Sequence, residues 1–117
     1  TRIQVEHPVT EAVTGLDLVE LQIAVAEGHP LPVTQEQVHF HGHAIEARLY
    51  AEDPANDFLP STGRVLSVRF PDRVRVDHAI EDGTDVTVYY DPMLAKLIAH
   101  GGTRAEALRT LETALGE

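Results

Sequence analysis

The sequence predicts an α+β fold, a mainly antiparallel sheet with flanking helices. Two helical patterns near the ends of the chain, Asp17 to Glu27 and Thr103 to Leu115, bracket a series of short alternating segments. The pairs Pro71-Asp72 and Asp82-Gly83 sit between those segments as turn formers, which favours hairpin connections over long crossovers. With 117 residues, 43% of them hydrophobic and 24% charged, the chain can bury a core of its own.

Thr1 to Glu6 alternates Arg2, Gln4 and Glu6 with Ile3 and Val5, the period of a strand with one wet face, and His7-Pro8 is expected to end it. Asp17 to Glu27 reads as a helix with Leu18, Leu21 and Val25 on one side and Gly28 at a left-handed cap. The proline-broken stretch from Leu31 to Gln37 places a unit boundary near Val38 to Gly42. His43 to Ala51 alternates again, so Glu46 and Arg48 share a face. Asp53 to Gly63 is expected to be an irregular loop pinned to the core by Phe58 and Leu59. Strands are expected at Arg64 to Phe70, Val74 to Ile80, Asp85 to Tyr90 and Leu94 to His100. A capping box from Thr103 to Glu106 then opens the last helix.

Nineteen acidic residues against nine basic ones give a net charge of −10, which disfavours nucleic acid and anionic membranes as partners. No apolar run is long enough for a bilayer, and no secretory pattern opens the chain. Cysteine is absent, which excludes thiolate chemistry and leans the compartment towards the cytosol. Eight of the nine basic residues are arginine and only Lys96 is lysine, a bias towards fixed forks for carboxylate, phosphate or carbonate. Neither a phosphate-cradling glycine motif nor a GxSxG elbow occurs.

Three constellations could carry chemistry. Arg2, Gln4 and Glu6 stand about 6.7 Å apart along one strand face, so they could fork, orient and deprotonate a small anion, or form only a solvated face. Arg48, oriented by Glu46, could stabilise charge developing on a substrate oxygen, or the two could form an exposed ion pair. His39, His41 and His43 would line one face of a straight strand as metal ligands, but Gly42 interrupts them and favours a polar turn.

Read in order, RIQVEHPVTE, TGLDLVELQ, GHAIEARLYAEDP, FLPSTGRV, VRVD and YYDPMLAKLI resemble the biotin carboxylase component of biotin-dependent carboxylases over essentially the whole chain. The resemblance implies an ATP-grasp enzyme that uses ATP, magnesium and bicarbonate to form carboxyphosphate. It then carboxylates N1′ of biotin on a carrier protein and works with a carboxyltransferase subunit. It further implies that Arg2, Gln4 and the Val5 backbone hold bicarbonate, that Glu6 removes its proton and that Arg48 stabilises the enolate-like oxygen of biotin. Arg75 and Asp91 become candidates for an ion pair across a homodimer contact.

On this resemblance, residues 1–40 are the end of an ATP-grasp domain and residues 41–117 an incomplete biotin carboxylase C-terminal domain. Thr1 in place of Met suggests an excised piece of a longer protein. The metal-holding and ATP-binding groups belong to the preceding portion, so the isolated piece is expected to be inactive and to hold no cofactor itself. The expected compartment is the cytoplasm, or the mitochondrial matrix in a eukaryote. A noncatalytic dimerisation module and an ATP-grasp ligase with another acceptor are the rival readings.

Overall fold

The computed structural model describes residues 3–117. Helix α1, His7–Thr14, carries Pro8 in its first turn, where a missing N–H costs nothing and the ring pre-sets φ. This corrects the expectation that His7-Pro8 only ends a strand. Ile3 and Gln4 are irregular, Val5 and Glu6 form a turn, and the expected strand from Thr1 to Glu6 finds no ladder among the described residues. Thr1 and Arg2 lie outside them.

Helix α2, Leu18–Ala26, starts where the Asp17 side chain accepts from the Glu20 N–H at 2.9 Å. It ends in a Schellman motif: Gly28 has φ +88°, its N–H donates to the Val25 carbonyl, and the His29 N–H donates to the Ala24 carbonyl. A 3₁₀ turn, Gln35–Gln37, leads into strand β1, His43–Tyr50. The remaining strands are β2, Glu52–Asp53; β3, Leu59–Pro60; β4, Gly63–Arg64; β5, Arg75–His78; β6, Asp85–Val86; and β7, Met93–Gly101. Helix α3, Arg104–Leu115, closes the chain behind the expected capping box, with Thr103 and Glu106 satisfying each other's backbone N–H.

The main sheet is antiparallel in the order β1-β7-β5. Its register sets Arg48 opposite Lys96 and Lys96 opposite Asp77, while Ile98 lies between Glu46 and Arg75. One face is apolar: Ala95, Leu97 and Ala99 of β7 meet Leu111 and Ala114 of α3, with Ile45, Ala47 and Val76 packed alongside. Small residues on the central strand let the helix approach closely. The other face bears Glu46, Arg48, Lys96, Asp77 and Arg75, and α1 covers part of it with the buried Pro8 and Glu11.

Away from this sheet the strands expected at Arg64 to Phe70 and Asp85 to Tyr90 shrink to the two-residue pair of β4 with β6, and the expected loop from Asp53 to Gly63 is bounded by a second such pair, β2 with β3. Side-chain capping competes with the ladder there: Asp82 Oδ1 accepts from the Val68 N–H at 2.7 Å, and Leu66 stays 88% exposed. Phe58 and Leu59 do not pin their loop to the core. They are exposed, because Asp53 holds the loop by accepting from Ala55 and Asn56, and Asp57 and Phe58 adopt φ of 52° and 57°, which turn the chain outward. No helix among the described residues is long and apolar enough to cross a membrane.

Gly42 precedes β1 with φ +66°, and a Cβ there would run into the Gly101 carbonyl and the His100 ring. At Gly28 the same left-handed backbone stands in open space. Gly28→Ala should therefore cost roughly 1–2 kcal/mol of stability and Gly42→Ala distinctly more, read as the difference in urea midpoints of the full protein.

Candidate active site

The turn before α1 and the middle of β1 form the walls of one cleft. It has a volume of about 330 Å³ and is lined by Ile3, Gln4, Val5, Glu6 and Arg48. The turn is held locally: the His7 N–H and its ring Nδ1 both reach the Gln4 carbonyl, at 3.1 and 2.8 Å. Gln4 Nε2 donates to Glu6 Oε1 at 3.0 Å, and the second oxygen, Oε2, stands 4.0 Å from Arg48 Nη2. Glu6 and Arg48 are both substantially exposed, so their Coulomb attraction is weak and leaves each able to meet a ligand. A larger apolar groove of about 720 Å³ shares Gln4 and Glu6 and runs on past Leu18, Leu21, Val25 and Leu31.

Behind Arg48 the charges are buried. Glu46 lies with Oε1 3.9 Å from Arg48 Nε and Oε2 3.9 Å from Lys96 Nζ, and its side chain is 6% exposed. Burial pushes its carboxyl above the usual range; Lys96, Arg48 and His7 oppose that shift only in part, and Asp77 adds to it. Lys96 Nζ also lies 3.8 Å from Asp77 Oδ2 and donates to the Val5 carbonyl at 2.9 Å. Burial raises the Asp77 carboxyl too, but the Arg75 hydrogen bonds and charge, with Lys96 and His7, outweigh it and hold the group below its ordinary value.

Arg75 forks Asp77 at 2.8 and 3.0 Å and reaches the buried Glu11 at 2.6 Å. The Asp77 hydrogen bonds lead in raising its guanidinium's pKa against the cost of burial, with Glu11 adding to the rise. Asp91 accepts from the Met93 N–H at 2.8 Å, at the entry to β7. Gln4, Val5, Glu6 and Arg48 are thus brought together, Arg75 and Asp91 lie apart from them, and Arg2 is outside the described residues.

The histidine row does not gather. His41 is occupied through its backbone, its N–H donating to the Val13 carbonyl and its own carbonyl accepting from His100 Nε2. Gly42 breaks the alternation, and no group of three or more His, Asp or Glu among the described residues is placed to hold a metal ion.

Residues 46–117 match the biotin carboxylase C-terminal domain family, and residues 1–34 match the ATP-binding domain of the carbamoyl-phosphate synthase L chain. The chain belongs to the biotin carboxylase C-terminal domain family. Among curated relatives, this biotin carboxylase segment is 52% identical to methylcrotonoyl-CoA carboxylase subunit alpha, mitochondrial, of Dictyostelium discoideum. That match covers all of this chain and 17% of the relative. Biotin carboxylase 2 of Bacillus subtilis is 53% identical over 98% of this chain and 26% of its own length. Among solved structures, the biotin carboxylase domain of Hydrogenobacter thermophilus 2-oxoglutarate carboxylase is similar with a TM-score of 0.94 at 44% identity. It covers 99% of this chain and 26% of that one, and is a dimer in complex with MgADP, ADP and bicarbonate. The chain thus spans about a quarter or less of these relatives.

Sequence reasoning missed Lys96, Asp77 and Glu11 as supports of this cleft. Two signals stood in view: a single lysine inside the apolar run MLAKLI, and an aspartate closing VRVD. A lysine in a central strand needs a partner, and only the fold reveals which.

Because the folded Asp77 carboxyl is lowered from its ordinary 3.8, its stabilisation is fully present above that pH and is lost as pH falls through the lower folded value. Asp77→Asn should therefore depress the urea midpoint of the full protein at pH 7. The gap from wild type should close below about pH 3.8, a profile that a pH series of melts would read.

Proposed function

We propose that this chain is the bicarbonate- and biotin-facing part of an ATP-dependent biotin carboxylase, with residues 1–40 ending the ATP-grasp domain and residues 41–117 beginning the C-terminal domain. The observation that carries this reading is the convergence of Glu6 and Arg48 on one cleft, a carboxylate and a guanidinium 4.0 Å apart from segments far separated in sequence. The two family matches, to residues 1–34 and 46–117, leave the proposed boundary in the gap between them and support the division.

In this reading Arg2, Gln4 and the Val5 N–H hold bicarbonate, and Glu6 takes its proton as a bicarbonate oxygen attacks the γ-phosphorus of ATP and the bond to ADP breaks. A carboxylate is a weak base for bicarbonate, so the proton transfer must be coupled to that attack. The exposure of Glu6 to the cleft suits a group that takes up and releases a proton. Carrier-bound biotin supplies N1′ as the carboxyl acceptor: the C–O bond of carboxyphosphate breaks, the released phosphate takes the N1′ proton, and the N1′–C bond forms. Arg48, half exposed and braced by Glu46, suits the oxygen that becomes negative on the ureido ring, a fixed cation aimed at developing charge. No group of three or more His, Asp or Glu among the described residues is placed to hold magnesium.

The partners in this reading are a biotin carrier protein or domain and a carboxyltransferase subunit. A second copy of the parent completes a homodimer, with Arg75 and Asp91 near the contact. The compartment is the cytoplasm, or the mitochondrial matrix in a eukaryote; the Dictyostelium relative is named as mitochondrial.

The test is bicarbonate-dependent ATP cleavage by the full-length parent, stimulated by free biotin. Glu6→Gln should slow it about 10²- to 10⁴-fold. Arg48→Ala should lower the biotin-stimulated kcat about 10²- to 10³-fold with a smaller change in the KM for biotin. Wild-type rates in both variants would overturn the assignment. Cleavage that needs bicarbonate but ignores biotin would instead identify a ligase with another acceptor, and no cleavage at all would identify an interaction module.

A further inference from the structure

Arg48 and Lys96 are direct cross-strand partners on the same face of the sheet, a pairing of two cations that by itself opposes strand association. They are splayed apart, with Glu46 between them at 3.9 Å from each. Arg48 leans over the carboxylate of Glu6, and Lys96 reaches the carbonyl of Val5, the residue before it. Of these two neighbouring cations, Lys96 holds the peptide that joins Val5 to Glu6, and Arg48 stands near the Glu6 side chain.

The side chain of Lys96 is 10% exposed, and the two carboxylates near its ammonium, at 3.8 and 3.9 Å, stand beyond hydrogen-bond distance. Among the described residues its one hydrogen bond goes to the Val5 carbonyl, 91 positions away. A buried ammonium spent on a backbone carbonyl fixes the plane of the Val5–Glu6 peptide, and that plane sets the direction in which the Glu6 side chain leaves the turn.

We infer that Lys96 is a positioning residue for Glu6, clamping the Val5–Glu6 peptide so that the carboxylate faces the cleft. The role rests on the functional reading above and deepens it. Lys96 touches neither substrate nor Glu6 itself. It acts through the main chain, and Glu46 serves it by neutralising both cations so that neither drives the other off its target.

The experiment uses the full-length parent carrying Lys96→Met, Glu46→Gln, the charge-balanced pair Lys96→Met/Glu46→Gln, and Lys96→Met combined with Glu6→Gln. Lys96→Met should lower kcat/KM for bicarbonate by about 10- to 100-fold, the scale of an ångström-sized misplacement, and leave KM for ATP within about twofold. Amide hydrogen exchange should quicken in residues 3–7 while β7 and α3 stay protected.

If Lys96→Met alone leaves Glu46 and Asp77 too poorly compensated to fold, the charge-balanced pair keeps the test alive, and it should retain the bicarbonate defect while Glu46→Gln alone shows a smaller one. In the Glu6→Gln background, adding Lys96→Met should cost clearly less than it does alone, because the main group it positions is gone. Wild-type bicarbonate kinetics in a folded Lys96 variant, unchanged exchange in residues 3–7, or losses that multiply with Glu6→Gln would each overturn the inference. A parent without bicarbonate-dependent cleavage would overturn the functional reading instead, and the exchange measurement would still decide whether Lys96 holds the turn.

Discussion

Strand β7 is buried from Ala95 to Ala99 between β1 and β5, and its alternating side chains enter two opposite environments. Odd positions, Ala95, Leu97 and Ala99, close an apolar layer with α3, and their burial supplies the driving force for the sheet. Even positions carry Lys96 into a layer of charge beneath α1 and the preceding turn. A slip of one residue in this ladder would send the lysine into the apolar layer and alanine towards the carboxylates, so the register that builds the core also builds the site.

The charged layer is nearly balanced. Counting histidines as neutral, Arg48, Arg75 and Lys96 stand against Glu6, Glu11, Glu46 and Asp77, three cations against four carboxylates. Burial makes the inner members costly unless they are paired, and Glu46 Oε2 is buried with no hydrogen-bond partner. The excess negative charge means that an anion entering the cleft needs one more cation, the part that the family resemblance gives to Arg2. Asp77 is the opposite case to Glu46: a forked guanidinium more than offsets its desolvation, and its charge is secure.

What could be read from sequence followed local rules. The last helix with its capping box, the Gly28 cap and the long alternating strand from His43 depend on residues close together in the chain, and all three are present. Glu46 and Arg48 on one face followed from the same period. Helix α1 was missed because Pro8 reads as a breaker unless it is known to sit in a first turn, and the outer strands were overextended because β-branched runs there pair over only two residues. Phe58 and Leu59 looked like anchors by composition alone, whereas Asp53 does the holding. The cleft itself was reached through family words rather than spacing, since Glu6 meets Arg48 only through tertiary packing. Lys96, Asp77 and Glu11 entered with the β1-β7-β5 register, which one sequence does not print.

The hydrogen bond from Lys96 to the Val5 carbonyl joins positions at opposite ends of this segment. During synthesis the turn and β1 emerge well before β7, so the anion-facing groups are loose until the final third of the segment has cleared the ribosome and its middle strand has inserted. A nascent chain halted before that point would present Arg48 and Glu6 without the Lys96 brace.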